Sequence, residues 1–289
     1  MLACVALATL VSGRLYAGGE HVPASSITLE MGRDSADTND AYLDADLGFT
    51  NGLHLRGMVG GSRQESATET YTSRSRLLGI SSDYSAPVVA GFDYEYWGED
   101  DSMSTRTKRF KLGINTDNWY VQLIYEDRNT ELTTNGSTVV RRGKLVKLPD
   151  NVDVASTGKG INISYYGFYP WSVSVAYIKY DYEKDVTALE KYPLWAQSVF
   201  AASTLGMATG LESWRRSADL SYNFDWGAIG VSGSQSESVV DQSIASSGAV
   251  YVSWDISKLW TMTVTAGQSG VDNTAEKTNY ARAALTHRW

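Results

Sequence analysis

The last ten residues, Tyr280–Trp289, read YARAALTHRW. Ala281, Ala283, Leu285, His287 and Trp289 share one parity, mostly apolar and ending in an aromatic ring. Arg282, Thr286 and Arg288 share the other, with Ala284 among them. A period of two is that of a strand, whose successive side chains point to opposite faces. A strand apolar along one face and carrying arginine along the other fits a wall between an apolar medium and water. The edge strand of a soluble β-protein shows the same alternation, so the rest of the chain must decide.

The chain has 289 residues and a formal net charge of −8. Nothing approaches the ~18 consecutive apolar residues of a membrane-spanning helix, and the mean hydropathy of −0.26 is that of a chain at home in water. A barrel wall hides in such averages, because half of every strand faces water. The 18 Tyr and 9 Trp against 6 Phe suit an interface with one wet and one apolar side. An acidic total with no basic stripe argues against nucleic acid as a partner. The sole cysteine, Cys4, lies in Met1–Ala17, a small and apolar run ending Leu15-Tyr16-Ala17 before Gly18. Residues 1–17 are therefore expected to be a signal peptide, with 18–289 one domain. Once it is removed, no thiol remains for disulfides or thiolate metal sites.

From Ser25 onward, strands alternate with two kinds of connection. Tight ones, rich in turn-forming residues, are Thr50-Asn51-Gly52, Ser85-Ala86-Pro87, Thr116-Asp117-Asn118, Tyr169-Pro170, Asp225-Trp226-Gly227 and Ser257-Lys258-Leu259. Longer polar ones fall near 33–41, 63–70, 99–103, 131–158, 185–210, 240–246 and 272–277. The two kinds alternate strictly, as short turns and long loops do on opposite sides of a transmembrane barrel. The strands between them are expected at 25–32, 42–49, 53–62, 71–84, 88–98, 104–115, 119–130, 159–168, 171–184, 211–225, 228–239, 247–256, 260–270 and 278–289. That makes fourteen, an even number with both termini on the tight-turn side. In 119–130 the outward set is Trp119, Val121, Leu123 and Tyr125; in 247–256 it is Val250, Val252, Trp254 and Ile256. Trp119, Trp171, Trp226, Trp260 and Trp289 all fall beside tight turns or at the terminus, which predicts an aromatic belt at one level. The fold class is accordingly all-β, a fourteen-stranded transmembrane antiparallel barrel.

The closing strand YARAALTHRW and the stretch Tyr251–Trp260, YVSWDISKLW, resemble the last strands of bacterial outer-membrane barrels of the porin type. In that family an aromatic strand runs into a Leu-Ser-Lys turn and the chain ends on an aromatic. Ile256-Ser257-Lys258 stands at the turn here. The resemblance implies an outer-membrane location and passive diffusion of small hydrophilic solutes. It also implies contact with outer-membrane lipids and lipopolysaccharide, and with the barrel-assembly machinery through the closing strand.

Strand parity places Glu30, Asp44, Asp46, Asp93, Glu95, Glu126, Asp219 and Asp255 on the inner face, with Arg56, Arg109, Lys111, Arg128, Arg215, Arg282 and Arg288. All of these but Arg288 are the expected pore-lining residues. A ring of one sign would select ions, whereas this mixture predicts weak selectivity. Symmetric closure sets Asp93 and Glu126 opposite Arg109, and Asp46 opposite Arg56, as wet pairs of small energetic weight. Loop 131–158, with Arg141, Arg142, Lys144 and Lys147, reads as a solvated loop at the lipopolysaccharide surface or as a basic lip for anionic solutes. Thr138–Val140 and Leu145–Lys147 within it suit a hairpin too short to span a membrane. Loop 185–210, with Leu194, Trp195 and Phe200, reads equally as a constriction in the mouth or as a cover over the rim. Of the three histidines, His21 lies near the start, His287 reads as outward and His54 as a lumen residue. No catalytic, metal or cofactor motif is expected. A closed structural or lipid-interacting barrel, or a barrel enzyme with a rim site, are the alternatives.

Overall fold

The structure, a computed structural model, describes residues 25–65, 70–99, 103–133, 138–141, 144–147, 151–183, 211–240, 242–272 and 277–289. The expected signal peptide with Cys4, His21, and the apolar stretch 185–210 lie outside those residues. Among them run β1 (Ser26–Asp34), β2 (Thr38–Gly48), β3 (Leu53–Glu65), β4 (Thr70–Ser82), β5 (Val88–Glu99), β6 (Met103–Asn115), β7 (Trp119–Thr133) and β8 (Thr138–Arg141). Then follow β9 (Lys144–Lys147), β10 (Asn151–Phe168), β11 (Trp171–Tyr182), β12 (Glu212–Phe224), β13 (Gly227–Ser238), β14 (Ile244–Asp255), β15 (Trp260–Val271) and β16 (Lys277–Arg288). Fourteen of them form one closed antiparallel barrel in chain order, with β16 returning to pair with β1. Only β8 and β9 stand apart, as a two-stranded hairpin between β7 and β10. Closure leaves no unpaired sheet edge, the condition for backbone amides to survive in hydrocarbon.

The tight turns are built from the residues that the sequence puts there. Asn51 accepts a hydrogen bond from the Leu53 amide (3.2 Å), and Gly52 takes the left-handed φ of 76° that the turn demands. The Thr116 hydroxyl accepts from the Trp119 amide (3.0 Å), and the Ser257 hydroxyl from the Trp260 amide (3.2 Å). At the seam the Ser25 amide donates to the Trp289 carbonyl and the Trp289 amide returns a bond to Ser25 (3.2 and 3.1 Å). Exposure alternates along each strand. Leu78, Val88, Phe110, Leu112, Ile114, Leu123, Val250 and Val264 point out, while residues of the other parity are buried in the barrel. In water that outer surface would be a large apolar patch; facing acyl chains, it is an apolar band. Trp119, Trp171, Trp226, Trp260 and Trp289 sit outward at the tight-turn end, and His287 packs between the rings of Trp260 and Trp289 (centroids 4.4 and 5.6 Å).

Several strands run further toward the long-loop side than the apolar pattern marks. β10 begins at Asn151 rather than 159, and β2 begins at Thr38, inside the expected 33–41 connection. Ladder hydrogen bonds need no apolar side chain, so sheet pairing continues where the hydrophobic signal has ended. There Leu132, Val154, Trp97, Met103, Leu211 and Val240 turn inward and pack together, an apolar cluster inside the mouth.

Candidate functional site: the charged inner wall

Each predicted inner-wall residue lies on the less exposed parity of its strand, and the structure gathers most of them into two clusters. The first spans the seam. Arg282 on β16 donates to Glu30 on β1 (3.1 Å) and to Asp40 on β2 (2.6 Å). Gly32 makes this reach possible, for a Cβ there would meet Cγ of Arg282 at 2.7 Å and the Asp40 carboxylate. Next to it Arg56 donates twice to Asp44, through Nε (3.1 Å) and Nη2 (2.6 Å).

Asp46 stands opposite Arg56 in the register, yet the two do not pair as expected. Asp46 instead binds Nδ1 of His54 (2.7 Å), whose ring lies against Tyr84 (centroids 4.9 Å). Partner choice here is diagonal. A long arginine reaches one pleat further along the neighbouring strand, leaving the shorter Asp46 to the imidazole. An Asp-oriented histidine is half of a hydrolytic relay. No hydroxyl bonds its other ring nitrogen among the described residues.

The second cluster covers β5, β6, β7, β11 and β12. Asp93 and Glu126 both stand opposite Arg109, as symmetric closure requires. Arg109 donates to Glu126 (2.6 Å) and Glu95 (3.2 Å), and approaches Asp93 at 3.7 Å; Lys111 also pairs with Asp93. Glu126 then gathers Arg128 (3.1 Å) and Arg215 (3.5 Å), and accepts a hydrogen bond from the Tyr180 hydroxyl (2.8 Å). The Arg128 guanidinium lies over the Tyr180 ring (4.3 Å) and reaches Glu212 (3.4 Å). Side chains from β7 and β12, which have β10 and β11 between them along the wall, meet because β10 carries Gly158; a Cβ there would touch the Glu126 Cβ at 3.2 Å. These pairs are not wet. Glu126 is 0% exposed, Arg128 2% and Glu212 1%, so their charges interact in a low effective dielectric rather than in water.

Two members of this wall escape a reading by strand parity. Glu212 has outward parity on β12, but a bulge between Glu212 and Trp214 turns it inward. Asp40 lies where the sequence shows a polar loop. Neither Leu211-Glu212-Ser213 nor the polar run 32–40 carries a local signal that separates these cases from ordinary loops.

The remaining arc is different in kind. β13, β14 and β15 contain no Lys or Arg at all. Hydroxyls face inward and bond across strands, Ser234 with Ser247 (2.9 Å) and Ser253 with Thr263 (2.8 Å). Asp219 on β12 accepts from Tyr251 (3.1 Å), Asp255 accepts from Thr261 (2.8 Å), and Arg288 donates to Thr261 (2.9 Å). The inner wall is thus a charge-dense arc joined to a crescent of small hydroxyl side chains.

No family model matches the chain, and no curated protein matches it in sequence. Its fold, however, recurs among solved porins and channels. It superposes on the CymD monoaromatic hydrocarbon channel with a TM-score of 0.54 at 10% identity, covering 92% of this chain and 88% of that one. It is also similar to the KdgM porin (TM-score 0.45, 10% identity, 91% and 98% covered). A loop-deletion form of OmpT, an outer membrane protein of Vibrio cholerae, resembles it too (0.46, 9%, 92% and 98%). The chain has the fold of a porin-type barrel, and its apolar outer band and closed ladder place it in the bacterial outer membrane.

Proposed function

We propose that the protein is an outer-membrane channel for passive diffusion of small hydrophilic solutes, with weak ion selectivity. The observation that carries this reading is the inner wall, polar around its circumference and bearing paired charges of both signs. Because each basic side chain of the two clusters is bonded to carboxylates, the wall offers little net field to separate cations from anions. The hydroxyl crescent of β13–β15 is the stretch of wall that is free of fixed cations, and it is the proposed path for neutral solutes. The charged inner-wall residues act as pore-lining groups in this reading, none as a catalyst.

One observation favours a second reading, a barrel closed by its own side chains: the Glu126–Arg128–Glu212 group is nearly solvent-free. Single-channel recording of refolded protein in a planar bilayer separates the two. Discrete conductance steps with a reversal potential near zero in a salt gradient are expected. A silent bilayer containing correctly folded barrel would establish the closed form.

A further inference from the structure

The outer wall is uneven in charge. Lys108 on β6, Lys159 on β10, Lys179 on β11 and Arg216 on β12 all have outward parity and are exposed. Lys108 lies seven residues from Asn115 at the tight-turn end of its strand, Lys159 nine from Phe168, Lys179 eight from Trp171 and Arg216 eight from Phe224. At ~3.3 Å per residue and a strand tilt of ~40°, that is roughly 20 Å above the tight-turn rim. An apolar band is ~25 Å tall, so these residues stand about 5 Å below its upper edge, and their long side chains snorkel up to the headgroups of the outer leaflet. β13, β14 and β15 have no cation anywhere along their length.

Within the basic sector the charges are poorly compensated by the protein itself. Lys108 has Asp127 at 3.3 Å. Lys159 and Lys179, by contrast, are direct cross-strand partners. Like charges facing each other across a ladder repel at ~4.5–5.5 Å between Cβ atoms, and among the described residues neither lysine has a carboxylate within ion-pair distance. Asp181, opposite Thr157, lies one outward position nearer the mouth. Trp214 stands opposite Lys179, and Arg216 lies with its guanidinium over the Trp214 ring (5.1 Å), held by Gln235 (3.0 Å from Nε). Two opposed ammonium groups and a braced guanidinium at headgroup depth form a receptor for an oxyanion with several acceptor oxygens.

We infer that Lys159, Lys179 and Arg216 bind a phosphate group of lipid A, the membrane anchor of lipopolysaccharide, fixing one side of the barrel to the outer leaflet. A phosphate bridging the two lysines removes their mutual repulsion, and the Trp214 ring beside it faces the start of the acyl region. This inference requires an outer-membrane barrel but not an open lumen.

The test is lipid retention by the full-length protein purified in detergent, read by native mass spectrometry during titration with bisphosphorylated lipid A. Parallel titrations use dephosphorylated lipid A, phosphatidylglycerol and inorganic phosphate. Wild type should bind bisphosphorylated lipid A on the order of tenfold more tightly than the dephosphorylated form, a difference of about 1.4 kcal/mol. K159A/K179A should abolish that preference, whereas K258A/K277A, with the same charge change elsewhere, should keep it. Heat-modifiable gel migration confirms that each variant is folded, and K159R/K179R, which restores the charge, should restore binding. Equal retention by wild type and K159A/K179A would overturn the inference. So would a preference for inorganic phosphate or phosphatidylglycerol over lipid A. Conductance measured on the same samples reports the channel reading separately.

Discussion

Glu126→Gln removes one negative charge from the centre of the second inner-wall cluster while keeping its shape. The Glu126 carboxylate has no solvent exposure and holds Arg109 at 2.6 Å, Arg128 at 3.1 Å and Arg215 at 3.5 Å. Glutamine retains an acceptor for one of them but no charge for any. Leaving buried ions uncompensated costs ~3–5 kcal/mol. Glu212, 3.4 Å from Arg128, and Glu95, 3.2 Å from Arg109, still offset part of the excess. The expected loss is therefore at the lower end, about 3 kcal/mol, or more than a hundredfold in the folding equilibrium. Glu95→Gln is the comparison: its side chain is 22% exposed and, among the described residues, pairs with Arg109 alone, so about 1 kcal/mol or less is expected. Both variants are refolded into lipid vesicles and unfolded in urea, followed by tryptophan fluorescence and heat-modifiable migration. Coincident unfolding curves for the two would refute the claim that burial, rather than pairing alone, makes this cluster matter.

Arg109→Ala leaves Asp93, Glu95 and Glu126 with fewer cations and should shift selectivity towards cations; a reversal potential that stays put or moves towards anions contradicts the proposed pore lining. Gly158→Ala sets a methyl group 2.6 Å from the Tyr180 ring and 3.2 Å from Glu126. Overpacking of that kind costs ~1–3 kcal/mol, and the urea midpoint should fall, whereas Gly233→Ala, whose Cβ would meet only the Ser247 carbonyl at 3.6 Å, should leave it in place. Deleting Arg288-Trp289 removes the paired bonds to Ser25 and the Arg288 amide bond to the Leu259 carbonyl (2.7 Å). The amount of heat-modifiable barrel in the outer membrane should drop several-fold, and an undiminished level would show that the last pairing step is dispensable.

The barrel is legible in the sequence because its two solvents write a period of two on every strand. Trp119, Trp171, Trp226 and Trp260 fall beside turns whose Asn, Gly, Asp and Ser chemistry is local, so strand number and facing follow without tertiary knowledge. The Asp93–Arg109–Glu126 row follows as well, since a symmetric tight connection fixes the register. What the sequence hides lies where pairing continues past the apolar band, as at Asp40, or where a bulge reverses parity, as at Glu212. It also hides burial. Parity says that Glu126 points inward, but not that Tyr180 and Arg215 close over it through the gap left by Gly158. Nor does it distinguish Asp44 from Asp46 as the partner of Arg56, a choice made by side-chain length and strand twist.

The seam clasp bears on the order in which the barrel is made. Glu30 and Asp40 belong to the first two strands, and Arg282 to the last. Before β16 arrives, the early sheet presents two neighbouring carboxylates without the cation that joins them. β13, β14 and β15 carry no lysine or arginine, so premature closure of β1 on any of them would bury that pair unneutralised. Of these last four strands, β16 is the one that brings the guanidinium, on Arg282. Charge thus favours β16 over those three strands as the mate of β1, a preference added to the ladder of backbone bonds that any strand could offer.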